Sequence, residues 1–127
     1  MQNATLQGRF LVVEDQPLTA FDITEELEAA GAAVTSTNTL KHALLLVEHD
    51  GLSGAILDHG LSDGDSPLLC EKLTERSIPH ILYSGLPIID GCCAGALHMV
   101  KPAGEGKLAA ALARLIGDQA ERGTPAM

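Results

Sequence analysis

Short apolar runs alternate along the chain with apolar stripes at helical spacing. Arg9-Phe10-Leu11-Val12-Val13 is a continuous run rich in β-formers, ended by Glu14-Asp15, and it predicts a first strand. Ala20, Ile23, Leu27 and Ala30 then recur at i, i+3, i+7 and i+10, one face of a first helix. Pro17 suits its first turn, where a missing N–H costs nothing, and Gly31 suits its C-terminal cap. Ala33-Val34-Thr35-Ser36 predicts a second strand, and Leu40, Ala43, Leu44 and Val47 a second helix, with Thr39 as N-cap and Gly51 beyond its end. Gly54-Ala55-Ile56-Leu57-Asp58-His59-Gly60 runs three apolar residues into an aspartate, as a buried central strand does. The segment from Leu61 to Asp65 has loop chemistry, and Ser66-Pro67 opens a third helix running to about Arg76. Pro79 to Tyr83 predicts a fourth strand ending at Ser84-Gly85, and Ala96 to Val100 a fifth ending at Lys101-Pro102. Leu108, Ala111, Leu112, Leu115 and Ile116 mark a last helix, which Gly117 is expected to stop.

Strands alternating with helices predict an α/β fold, a parallel sheet covered on both faces. Right-handed crossovers reduce the choices to a doubly wound five-stranded sheet in the flavodoxin-like order 2-1-3-4-5. The expected boundaries are a flexible N-terminus over 1–8, one domain over 9–117 and a flexible tail over 118–127. The connection between the fourth and fifth strands is the weak point. Gly85 to Gly95 must hold a helix and two loops, and it contains Pro87, Gly91 and both end glycines. A helix there is expected to be truncated, irregular or mobile, leaving Leu86, Ile88, Ile89 and Leu97 as an exposed apolar patch for a partner or second copy.

Apolar residues make up 46% of the 127-residue chain and aromatics 2%, so the core must be aliphatic. The net charge of −9 argues against non-specific binding to nucleic acid or to anionic membrane surfaces. The N-terminus lacks the apolar run of a signal peptide, and no run is long enough to span a bilayer. Cys70, Cys92 and Cys93 form no CxxC pair; their odd number fits a reducing compartment better than a disulfide framework. These features together predict a cytoplasmic, soluble protein.

In the expected strand order, Glu14-Asp15, Asp58, Ser84 and Lys101 all fall at the carboxyl edge of the sheet, where ligands collect. Three clustered carboxylates repel one another unless a cation lies between them, and oxygen-only ligands favour Mg²⁺. A hydroxyl and an ammonium opposite suit an oxyanion such as phosphate. Carboxylate nucleophile, Mg²⁺, hydroxyl and lysine together describe phosphoryl transfer onto an aspartate.

From Arg9 to Gly117 the chain resembles the receiver domain of two-component response regulators. The matching residues are Glu14-Asp15, Asp58, Ser84-Gly85 and Lys101-Pro102, in order at alternating strand ends. The resemblance implies a single-domain regulator with Asp58 as phosphoacceptor, charged by a histidine kinase or phosphotransfer protein, and no enzyme beyond its own phosphorylation and dephosphorylation. It implies Mg²⁺ held by Asp15, Glu14, Asp58 and the Gly60 carbonyl. It gives Ser84 and Lys101 the phosphoryl oxygens, and it implies output by phosphorelay or by contact with a downstream protein, from a monomer or weak homodimer. The family commonly has Phe or Tyr as a switch three residues before the lysine; here that position is His98, so activation is expected to rely on Ser84. The segment from Pro79 to Gly85 is similar to a stand-alone subclass with an aromatic-x-Thr-Gly-aromatic pattern, although Leu86 replaces the second aromatic.

Other readings of the same residues stand beside these. Asp58 could cap a loop, and Glu14-Asp15 could N-cap the first helix. His42 and His49 are seven apart, not four, which suits the surface better than a metal. His59 could tune Asp58 or be a loop residue; Cys92 and Cys93 could be redox sensors or small packing residues. The alternative function is a pseudo-receiver, a binding module that is never phosphorylated. An aspartate-nucleophile phosphatase would need a second Asp two residues past the first strand's nucleophile, where this chain has Gln16 or Pro17.

Overall fold

The chain order is β1 (Arg9–Val13), α1 (Pro17–Ala29), β2 (Ala33–Thr37), α2 (Leu40–His49), β3 (Leu52–Asp58), α3 (Pro67–Glu75), β4 (His80–Ser84), β5 (Leu97–Val100) and α4 (Lys107–Gly123). It is seen in a computed structural model that describes residues 5–49, 51–58, 67–85 and 97–123. All five strands are parallel and lie in the order β2-β1-β3-β4-β5, as the alternation of runs and stripes predicts. The register sets Val13 beside Leu57, Asp58 beside Tyr83 and Ser84 beside Val100, so the strands end level with one another.

The continuous apolar runs serve two faces at once. Along β1, Leu11 and Val13 pack with Leu40, Ala43 and Val47 of α2 and Leu69 and Leu73 of α3. Phe10 and Val12 point the other way, into a layer with Ile23 and Leu27 of α1 and Leu108 and Leu112 of α4. Each fully buried leucine here contributes about 1.5–3 kcal/mol of hydrophobic stabilisation. Phe10 also explains Gly54: a Cβ there would lie 2.7 Å from Cε2 of the Phe10 ring.

Local signals act where the sequence places them. Thr39 caps α2, its Oγ1 accepting the His42 N–H at 3.2 Å. Gly31 closes α1 with a positive φ of 106°. Its N–H donates to Glu28 O and that of Ala32 to Leu27 O, the paired bonds of a Schellman motif.

Three expectations need correction. The last helix does not stop at Gly117 but continues to Gly123. A glycine in an exposed helix costs only about 1 kcal/mol, and Gln119, Ala120, Glu121 and Arg122 beyond it are good helix formers. Leu6, assigned to a flexible leader, is 2% exposed, and its N–H donates to Ala30 O at 2.8 Å. Its side chain packs in the layer with Phe10, Leu27 and Ala32, burial that favours an ordered backbone there. Cys70 is buried on α3 and disulfide-bonded, although the odd cysteine count argues against a disulfide framework; its partner lies outside the described residues. The expected short helix between β4 and β5 also falls outside them, as do Leu86, Ile88 and Ile89. Leu97, the fourth residue of the expected patch, is 39% exposed on the edge strand β5.

Candidate functional site

Because β1 and β3 are neighbours in register, the acidic residues that end them meet above the sheet. Glu14, Asp15 and Asp58 each offer a carboxylate oxygen, and these oxygens lie within 4.8 Å of one another. Glu14 and Asp58 are buried and Asp15 is partly so. Like charges this close repel by roughly 3–4 kcal/mol per pair at an effective dielectric of about 20.

Among the described residues one cation answers two of them. Lys101, just past β5, places Nζ 2.9 Å from Glu14 Oε1 and 3.1 Å from Asp58 Oδ1. The other Glu14 oxygen, Oε2, accepts the Gln16 N–H at 3.1 Å, so this carboxylate also shapes the turn into α1. That bond reaches the N-cap residue Gln16 and not a helical N–H, and α1 has no side-chain cap, so the N-cap alternative for Glu14-Asp15 is not met. One ammonium cannot balance three carboxylates, and the remaining deficit is what a second cation would fill. Oxygen donors alone, in a small acidic cluster, fit Mg²⁺ better than a softer metal. Among the described residues no other group of metal-ligating side chains comes together.

Burial raises the carboxyl pKa of Asp58 above the usual range; the Lys101 hydrogen bond opposes this and the Glu14 charge reinforces it. Burial pulls the Lys101 ammonium down, but its bonds to Glu14 and Asp58 outweigh that and hold it above its ordinary value. Lys101 is therefore a firm cation throughout the neutral range.

Ser84 ends β4 buried at the same edge, and its carbonyl accepts the Lys101 N–H at 2.7 Å. His98, in contrast, is exposed on β5. Gly60 and His59 lie outside the described residues. His42 is exposed and its Nδ1 sits 2.9 Å from Thr37 Oγ1, consistent with the surface reading. An open cavity of about 360 Å³ beside the ends of β1 and β2 is lined by Glu14 and Asp15 together with Ser36 and Asn38.

Sequence reasoning left Tyr83 without a role. Its Oη accepts the Ala103 N–H at 2.7 Å, and its ring lies under Lys101 Nζ, 5.6 Å from the centroid. The signal was available: the chain's single tyrosine, in a run that reads as a buried strand, must find a partner for its hydroxyl.

No family model matches this sequence, and no curated protein does. Solved structures do. A response regulator receiver domain (CheY-like) from Methanospirillum hungatei JF-1 superposes with a TM-score of 0.83 at 22% identity, covering 92% of this chain and 99% of that one. The receiver domain of a sensor histidine kinase from Pseudomonas aeruginosa PAO1, with a magnesium ion coordinated in its active-site cleft, gives 0.76 at 21%, covering 91% and 99%. A response regulator protein from Burkholderia pseudomallei, with a phosphorylated aspartic acid, calcium ion and citrate, gives 0.76 at 23%, covering 93% and 75%. At these identities the likeness is one of fold, and the fold of this chain is that of the CheY-like response regulator receiver domains.

Proposed function

We propose that this protein is a response regulator of the single-domain type, which accepts a phosphoryl group on Asp58 from a phosphohistidine. The observation that carries this reading is the meeting of Glu14, Asp15, Asp58 and Lys101 above the sheet, with Lys101 Nζ 3.1 Å from Asp58 Oδ1. A structural carboxylate would not need two acidic neighbours and a lysine drawn from the far strand.

In the proposed reaction an Asp58 oxygen attacks phosphorus, the P–N bond to the donor imidazole breaks, and that nitrogen keeps the electron pair. Lys101, held as a cation, pairs with one phosphoryl oxygen, and Ser84 donates its hydroxyl to another. Glu14, Asp15, Asp58 and the Gly60 carbonyl would hold Mg²⁺. The ion supplies charge neutralisation between the carboxylates and the incoming phosphoryl oxygens. With His98 exposed and lacking a phenol, Ser84 and the loop after it carry the response rather than an inward swing of His98.

The donor proposed is a histidine kinase or histidine phosphotransfer protein, with output by phosphorelay or by contact with a downstream protein. The protein itself would be a monomer or weak homodimer, and no role with nucleic acid or membrane is proposed. No helix among the described residues is long and apolar enough to cross a membrane. A cytoplasmic location is proposed from composition; the Cys70 disulfide is the observation that stands against a reducing compartment. Phosphotransfer profiling against the histidine kinases and phosphotransfer proteins of the source organism tests the reading. One or a few donors should label the wild type and leave Asp58→Asn unlabelled. Labelling by none would favour the pseudo-receiver, a binding module that keeps the fold without the chemistry.

A further inference from the structure

Tyr83 stands in β4 beside Asp58 of β3, and it is 6% exposed. Its hydroxyl accepts a hydrogen bond from outside the sheet, the Ala103 N–H two residues past Lys101. On the near side, the N–H of Lys101 itself donates to Ser84 O. The stretch 101–103 is thus fastened to β4 at both ends, and the Lys101 ammonium rests over the Tyr83 ring between the fastenings. A lysine is a point charge on a flexible stem, and aiming it depends on holding its backbone and restricting its path.

We propose that Tyr83 is a positioning residue, which holds the 101–103 loop so that Lys101 is presented to the reacting oxygens at Asp58. The inference rests on the phosphoacceptor reading of Asp58. It assigns the phenol hydroxyl to the loop and the ring face to the lysine. The division is testable because Tyr83→Phe removes the first and keeps the second.

Two measurements on the full chain separate this from a purely structural role. Hydrogen exchange should show the Ala103 amide exchanging faster in Tyr83→Phe, with the amides of β3 unchanged. Phosphoryl gain from acetyl phosphate with Mg²⁺ should slow about fivefold, the usual worth of one hydrogen bond. In a Lys101→Ala background the same change should have no further effect on that rate, because Tyr83 acts through Lys101. Ala103→Pro, which deletes the donor and leaves Tyr83 in place, should slow the reaction similarly and serves if Tyr83→Phe folds poorly. Unchanged Ala103 exchange, or equal slowing with and without Lys101, overturns the proposal. A wild type that gains no phosphoryl group would refute the reading of Asp58 instead, and the exchange measurement would still decide whether Tyr83 holds the loop.

Discussion

Lys101 Nζ, carried past the end of β5, lies 3.1 Å from Asp58 Oδ1 at the end of β3, although β4 separates the two strands. The stem crosses above Tyr83 to reach it, and the same ammonium holds Glu14 at 2.9 Å. Removing it leaves two buried carboxylates facing each other with Asp15 beside them.

Lys101→Ala should therefore destabilise the protein by about 2 kcal/mol in the absence of divalent ions, in the range for breaking charged hydrogen bonds. A second cation would relieve the same repulsion, so the gap from wild type should narrow in millimolar Mg²⁺. Urea unfolding with and without Mg²⁺ checks this; a gap unaffected by the ion would mean that Lys101 and Mg²⁺ answer different charges.

Mg²⁺ should also stabilise the wild type, as any ligand that binds only the folded state does. At about 100 times its dissociation constant the gain is about 2.7 kcal/mol, read as a rise in melting temperature. Asp15→Ala should lose most of that rise while keeping the Lys101 contacts to Glu14 and Asp58. Equal responses in both proteins would take Asp15 out of the metal site.

His80 predicts a pH dependence from the opposite end of the sheet. It is 2% exposed, its Nδ1 lies 2.8 Å from the Ile78 carbonyl, and Nε2 has no hydrogen-bond partner among the described residues. Burial lowers its pKa from the ordinary 6.5, with the Ile78 bond opposing. Below that value the unfolded chain takes up a proton that the folded one refuses, so stability falls as pH drops. The loss from this one group approaches about 1.4 kcal/mol per pH unit until the folded pKa is reached. Unfolding of wild type and His80→Leu from about pH 7.5 to 5.5 isolates it. The variant should show the shallower decline, and parallel curves would contradict the assignment.

Glu26 of α1 ties the two helices of one layer together, its Oε2 accepting the Ala109 N–H at 2.9 Å in the first turn of α4. Those first N–H groups have no partner within their own helix, so Glu26 acts as a cap from a distance. Glu26→Ala should cost about 1–2 kcal/mol, and Glu26→Gln less, by thermal or urea unfolding. A change no larger than that of Glu25→Ala, on the exposed side of α1, would show the cap to be unimportant.

Most of the fold was legible because the elements are continuous. Buried runs such as Phe10 to Val13, and the stripe through Ile23 and Leu27, report their environment directly in residue type and period. The grouping of the candidate residues was legible because each ends a strand or closely follows one, so that strand order alone brings Glu14, Asp15, Asp58, Ser84 and Lys101 to one edge. Tyr83 and Glu26 act through bonds to distant backbone, Ala103 and Ala109, and no local pattern names such partners. The stop expected at Gly117 failed for another reason: a helix held by Leu108 and Leu112 on its buried face carries one glycine, whatever the residue prefers in isolation. Leu6 shows the reverse, a single apolar side chain without periodicity that is nonetheless part of the core.

Intact-mass measurement after incubation with acetyl phosphate and Mg²⁺ tests the central claim most directly. The account predicts that wild type gains one phosphoryl group, that omitting Mg²⁺ suppresses the gain, and that a folded Asp58→Asn shows none, since the amide keeps the size of the side chain but is not a nucleophile. An unmodified wild type, or a phosphoryl group retained at full stoichiometry by Asp58→Asn, would contradict it.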